Sequence, residues 1–166
     1  GTLNLTGGLL WTQDFTLQNG STFYHNAGTL RVDGGTYTPL ANQDVVISGS
    51  NPFVHLTNGA DLDTGTKDLI VATGTKKRGT LTVDNGSTVA SRIGTIGTSG
   101  GGGTVTVTGS GSRWDLSSTL AVGNSGNGTL NVDDSAVVRN SLGVIGSASG
   151  AVGAVTVDGG AWQNTG

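Results

Sequence analysis

From Gly79 onward, apolar residues fall on alternate positions in short runs separated by turn residues. In Gly79-Thr80-Leu81-Thr82-Val83 the period is two, so Leu81 and Val83 face one side and Thr80 and Thr82 the other, as in a half-buried strand. Asp84-Asn85-Gly86 then reads as a turn, because Asn and Gly tolerate positive φ and Asp accepts from nearby backbone N–H groups. A second strand from Gly86 to Ser91 supplies one inward residue, Val89. A third, Ile93-Gly94-Thr95-Ile96-Gly97, has counterparts in Leu120-Ala121-Val122-Gly123 and Val144-Ile145-Gly146. A Gly/Ser loop closes the unit.

The unit repeats. Gly79-Thr80-Leu81-Thr82-Val83 returns at Gly103, at Gly128 and at Gly153, an almost constant interval. Gly28-Thr29-Leu30-Arg31-Val32 and Gly1-Thr2-Leu3-Asn4-Leu5 extend the series upstream, with Pro52-Phe53-Val54-His55-Leu56 between Gly28 and Gly79. A period in this range marks a stacked solenoid. Three strands and three turns in about 25 residues predict an all-β, single-stranded parallel β-helix of about seven coils. Coils about 4.8 Å apart give a rod roughly 34 Å long. The expectation is one domain over 1–166, with irregular coils over 1–78 and regular ones over 79–166.

The second-strand column is expected to hold Trp11, Tyr37, Leu62, Val89, Trp114, Val138 and Trp162; such size changes suggest a corner or a partly open face. Packing is the plain role for these aromatics, with saccharide stacking the alternative. Phe15 to Phe23 also matches Leu81 to Val89, so the first coil is irregular, and Ser21 to Ala27 forms either a long loop or an extra strand.

Composition supports this reading. The 166 residues include 31 Gly, only 2 Pro and no Cys or Met, and all 11 acidic residues are Asp, a β-and-turn composition. Net charge of −3 gives no general attraction to nucleic acid or anionic lipid. No apolar run approaches the ~20 residues of a membrane-spanning helix. Without Cys there is no disulfide or thiol chemistry. The chain opens inside a repeat with no signal peptide, which reads as a fragment or a processed product.

Candidate chemistry is sparse. Asp61, Asp63, Lys67 and Asp68 form the densest charged cluster, and paired carboxylates beside a base are what a β-helical lyase or hydrolase needs. Asp14, Asp44 and Asp68 are each expected to begin a third strand and to stack, where calcium would relieve their repulsion; turn capping without an ion is the simpler reading. Asp33, Asp84, Asp133 and Asp158 read as turn residues, and His25 and His55 as separate surface residues. The outward pairs Thr2/Asn4, Thr29/Arg31, Phe53/His55, Thr80/Thr82, Thr104/Thr106, Thr129/Asn131 and Ala154/Thr156 are too interrupted for a continuous ice-binding threonine array. The loop after the third strand varies most: Phe23-Tyr24-His25, then Asn51-Pro52, then Lys76-Lys77-Arg78. Variable loops on a rigid scaffold are where binding collects, so this edge is the candidate binding site; its Lys76-Lys77-Arg78 run would meet an anionic glycan or another chain, with a merely solvated loop the plainer reading.

Leu120-Ala121-Val122-Gly123-Asn124-Ser125-Gly126-Asn127-Gly128-Thr129-Leu130-Asn131-Val132 resembles the repeat of autotransporter-associated and PEP-CTERM-associated proteins, as does Gly103 through Trp114. The resemblance covers Gly79 to Gly166 and is weaker before it. It implies a right-handed parallel β-helix in a bacterial surface or secreted protein, extracellular and without a particular activity. The function expected is a non-enzymatic adhesin stalk or surface fibre without cofactor. The alternatives are a carbohydrate-active β-helix or a self-assembling filament subunit. Partners would be flanking coils, head-to-tail copies, or a glycan or host-surface ligand.

Overall fold

The computed structural model describes Gly1–Gly166. Coil 1 contains β1 (Thr2–Thr12) and β2 (Phe15–Thr16); coil 2 contains β3 (Thr22–Asp33), β4 (Thr36–Thr38) and β5 (Val45–Ile47). Coil 3 contains β6 (Asn51–Thr57), β7 (Asp61–Asp63) and β8 (Leu69–Thr73); coil 4 contains β9 (Arg78–Val83), β10 (Thr88–Ser91) and β11 (Gly94–Thr98). Coil 5 has β12 (Gly102–Thr108), β13 (Arg113–Leu116) and β14 (Thr119–Val122), and coil 6 has β15 (Asn127–Asp133), β16 (Val137–Asn140) and β17 (Leu142–Ile145). Coil 7 ends the rod with β18 (Val152–Asp158) and β19 (Ala161–Asn164). There is no helix. The strands stack into three parallel sheets of 7, 7 and 5 strands, so the chain is an all-β solenoid with three strands per regular coil.

Inward residues form columns. On the first sheet Leu10, Leu30, Val54, Leu81, Val105, Leu130 and Val155 lie in register, beside Val32, Leu56, Val83, Val107, Val132 and Val157. The facing expected for Leu81 through Val132 holds, and those residues are fully buried. The repeated glycine has a steric cause. A Cβ on Gly79, Gly103, Gly128 or Gly153 would run into the carbonyl oxygen of Ile47, Val71, Ile96 or Val122, on the third side two coils earlier.

The first coil departs from the sequence expectation. The residues stacked on Leu30 and Val32 are Leu10 and Thr12, rather than Leu3 and Leu5. Gly1 to Leu5 instead precedes the repeat position, and Thr2–Leu5 pairs with Thr22–His25. Ser21 to Ala27 is thus not a loop; most of it is the first half of the 12-residue strand β3. Two register shifts, at Leu5/Thr6 and Thr6/Leu9, carry the chain round the corner at Gly7-Gly8. Consequently the outward pair of coil 1 is Leu9/Trp11, not Thr2/Asn4.

The second-strand column also needs one correction: its first member is Phe15, which pairs with Tyr37, while Trp11 sits outside on the first sheet opposite Arg31. The other six members stack as expected. They do not mark an open face, for Trp114 is 0% exposed. Its volume is matched on the third sheet, where the inward positions read Val45, Leu69, Gly94, Leu120 and Gly143. A Cβ at Gly94 would lie 2.5 Å from the Trp114 ring, and one at Gly143 would lie 2.6 Å from Trp162. Each tryptophan thus fills the space left by a glycine one coil earlier, whereas Leu69 and Leu120 precede coils carrying Val89 and Val138. Both indoles donate to the preceding coil, Trp114 Nε1 to Ser91 Oγ at 3.0 Å and Trp162 Nε1 to Asn140 Oδ1 at 2.6 Å.

Candidate functional site at the corner between the third and first sides

The corner where each third side passes into the next first side carries both parts of the expected binding edge, and the structure separates them. Phe23, Tyr24 and His25 belong to the first half of β3 rather than to a loop. Phe23 turns inward, with its ring 4.9 Å from Phe15 in an edge contact and 5.3 Å from His25 in a stacked one. Tyr24 alone of the three is exposed. His25 is half-buried, its Nε2 donating to the Gly28 carbonyl at 2.8 Å. Burial holds its pKa below the usual histidine range, and the Gly28 hydrogen bond opposes that only in part. Between this half-strand and β5, whose only partner is β8, lies a cavity of about 350 Å³ floored by Tyr37, Val45, Ile47 and Val54. Burial among these groups pushes the Tyr37 phenol up.

Lys76, Lys77 and Arg78 lie two coils further along and are all exposed. β6 lies between β3 and β9, so the aromatic and cationic parts do not form one site. A hollow of about 230 Å³ opens over the cations, lined also by Gly100, Gly102 and Asn127.

The acidic clusters are taken up by other partners. Asp61 and Asp63 share the outer face of β7 around buried Leu62, as period two requires. Asp61 accepts from the Thr88 hydroxyl, and Asp63 accepts the Gly65 N–H at 2.7 Å. Asp68 lies past the turn on the third side, facing Arg92 at 2.9 Å, and Lys67 makes no ion pair, so these four do not converge. Asp14 precedes β2, on the second side, and accepts the Thr36 N–H at 2.8 Å; its expected place before a third strand is wrong. The error follows from the misplaced first coil. Asp44 and Asp68 do stack, Asp44 accepting the Asp68 N–H at 3.0 Å, and the next coil answers with the Arg92 guanidinium rather than another carboxylate. No three carboxylate or imidazole groups come together.

Sequence reading missed the outer face of coils 1–3. Trp11, 66% exposed, lies beneath the Arg31 guanidinium at 5.8 Å and donates to Asp33 at 3.1 Å. Asp33 also accepts from Asn58 at 2.6 Å and from Arg31. The Asn58 bond is the chief reason its carboxyl stays below the usual range, with Arg31 assisting. His55 stacks on Phe53 at 5.7 Å and reaches Asp84 at 2.8 Å. Gly7-Gly8 was the available signal for the register that brings Trp11 beside Arg31.

The class is thus a three-sided parallel β-solenoid. Comparison with protein-family models, curated proteins and solved structures finds no match for the chain.

Proposed function

We propose that this chain is a non-enzymatic shaft segment of a secreted or cell-surface β-solenoid protein, an adhesin stalk or surface fibre of the kind its repeat resembles. The observation that supports this reading is the direction of its polar bonding, which runs along the rod. Asp68–Arg92, Asp115–Arg139, Asp84–His55, Asp33–Asn58 and Asn140–Asn164 each join one coil to the next. Together with continuous inner columns, such ladders tie neighbouring coils and leave stability close to a sum of coil-to-coil interfaces. Coil 7 exposes Val157, a member of an inner column, to 47%. That end face suits a further coil, from flanking chain or from a second copy.

Protease shaving and immunogold labelling of intact host cells with antibody to this segment test the reading. Surface label removed by protease is expected; label confined to the cytosol refutes it. Incubation with polygalacturonate, chitin and peptidoglycan fragments addresses the carbohydrate-active alternative. The expectation is no product, whereas turnover lost in an Asp61→Asn, Asp63→Asn variant makes the chain an enzyme.

A further inference from the structure

We propose that the corner formed by Lys76, Lys77 and Arg78 is a binding site for a linear anionic polysaccharide. Of the chain's eight Lys and Arg residues, Arg31, Arg92, Arg113 and Arg139 each meet a carboxylate within 3.7 Å. The four left without an ion pair are Lys67, Lys76, Lys77 and Arg78, and three of these are consecutive. In a chain of net charge −3, with a carboxylate partner for every other arginine, this is a concentrated positive spot with no internal counter-charge.

Its backbone is held rigidly. Lys77 N–H bonds to Gly74 O at 3.0 Å, Gly102 N–H bonds to Lys77 O at 2.9 Å, and Arg78 and Gly49 exchange two bonds of 2.8 and 2.9 Å. Lys76 sits at φ 62°, a left-handed conformation that disfavours a lysine, and the surrounding bonds keep it there. Such fixing lowers the ordering cost of binding.

The surroundings select the ligand. The hollow beside the cations has no apolar and no acidic lining residue. In the next coil Gly100 and Gly102 leave the backbone bare, and beyond them stands the Asn127 amide, a donor and acceptor suited to hydroxyls. A linear polymer fits along this corner, its carboxylate or sulfate groups on the cations and its hydroxyls over Gly102 and Asn127. Nucleic acid fits less well. No aromatic ring lines the hollow for base stacking, and three cations fall short of the roughly 6–10 phosphate contacts of a duplex binder. No apolar side chain is present to enter a membrane. The site depends on this exposed geometry and not on the shaft reading.

The test is retention of the 166-residue chain on immobilised heparin and polygalacturonate, with Lys77→Gln, Arg78→Gln as the main variant and Lys67→Gln as control. The pair leaves left-handed Lys76 untouched, so folding is spared, and an unchanged thermal midpoint verifies this. Wild type should be retained at low salt, with log affinity falling against log salt at a slope of roughly −2, about 0.7 for each of three contacts as for single-stranded polyanions. The pair should lose at least tenfold in affinity and the control nothing. Should the pair variant unfold, Lys76→Gly, which suits the positive φ, replaces it and should lose about 0.7 of that slope. Retention equal in wild type and variant overturns the site. Tighter binding to single-stranded DNA or to phosphatidylserine vesicles than to either glycan overturns the ligand class.

Discussion

Coils 4–6 and coils 1–3 are built on the same three-sided plan, yet they treat the outer face of the first sheet differently. In coils 4–6 the outward columns read Thr80, Thr104, Thr129 and Thr82, Thr106, Asn131, at nearly equal intervals along the chain. In coils 1–3 the same columns read Leu9, Thr29, Phe53 and Trp11, Arg31, His55, and the interval lengthens at each step from Leu9 through Thr29 and Phe53 to Thr80. Inside, one column stays apolar from Leu10 to Val155 and the other from Val32 to Val157, with Thr12 its one polar member in coil 1. The core of a solenoid therefore constrains only the inward positions, and side chains with recognisable chemistry gather where the outer repeat relaxes. The cavity beside His25 and the cationic corner both lie at or near irregular coils, for the same reason.

If that division is right, the greatest damage comes from the inward columns of the regular half. Leu130→Asp places an unpaired charge at a fully buried position and should cost several kcal/mol, enough to abolish cooperative melting. Thr129→Asp, on the outer face of the same strand, should shift the midpoint little by comparison. Equal effects would show that facing does not matter there.

The buried amide of Asn140 comes next. It accepts from Trp162 and donates to Asn164 at 2.7 Å, so Asn140→Ala leaves the indole N–H without its partner and should cost about 1–3 kcal/mol by chemical denaturation. An unchanged unfolding free energy would remove this bond from the account.

The smallest effect belongs to the irregular half. His25 has its folded pKa below the unfolded value of about 6.5, so the unfolded chain takes up the proton first. Stability should therefore fall as pH drops below about 6.5 and level off beneath the folded pKa. His25→Gln should flatten that part of the profile when melting is followed against pH. A wild-type curve already flat between about pH 7 and 5 would contradict the half-buried, neutral ring.

The regular half was largely legible because period-two alternation and the recurrent glycine agree with each other from Gly79 onward. The first coil was not, because Gly1-Thr2-Leu3-Asn4-Leu5 imitates the repeat while Gly8-Leu9-Leu10-Trp11-Thr12 occupies its place. Alternation alone does not choose between two such registers; the bulge at Thr6–Leu9 does, and it depends on three-dimensional closure. The pairing of Gly94 with Trp114 was hidden for a related reason, since it joins two sides across two coils. The candidate site fared similarly. Exposure of Lys76, Lys77 and Arg78 was readable, but the lateral partners that leave them as isolated cations, such as Asp68 for Arg92, require the exact register.

Neighbouring coils share volume along the axis, so that a large inward residue on one coil requires a small one on the coil before it. A double-mutant cycle measures this directly. Gly94→Leu should destabilise by about 1–3 kcal/mol or more through overpacking against Trp114. Trp114→Val should cost a similar or larger amount, about 3–5 kcal/mol, through the cavity it leaves. The combination Gly94→Leu, Trp114→Val recreates the arrangement of Leu120 beneath Val138, so its unfolding free energy should recover most of the summed loss. Simple additivity of the two single losses would contradict the account.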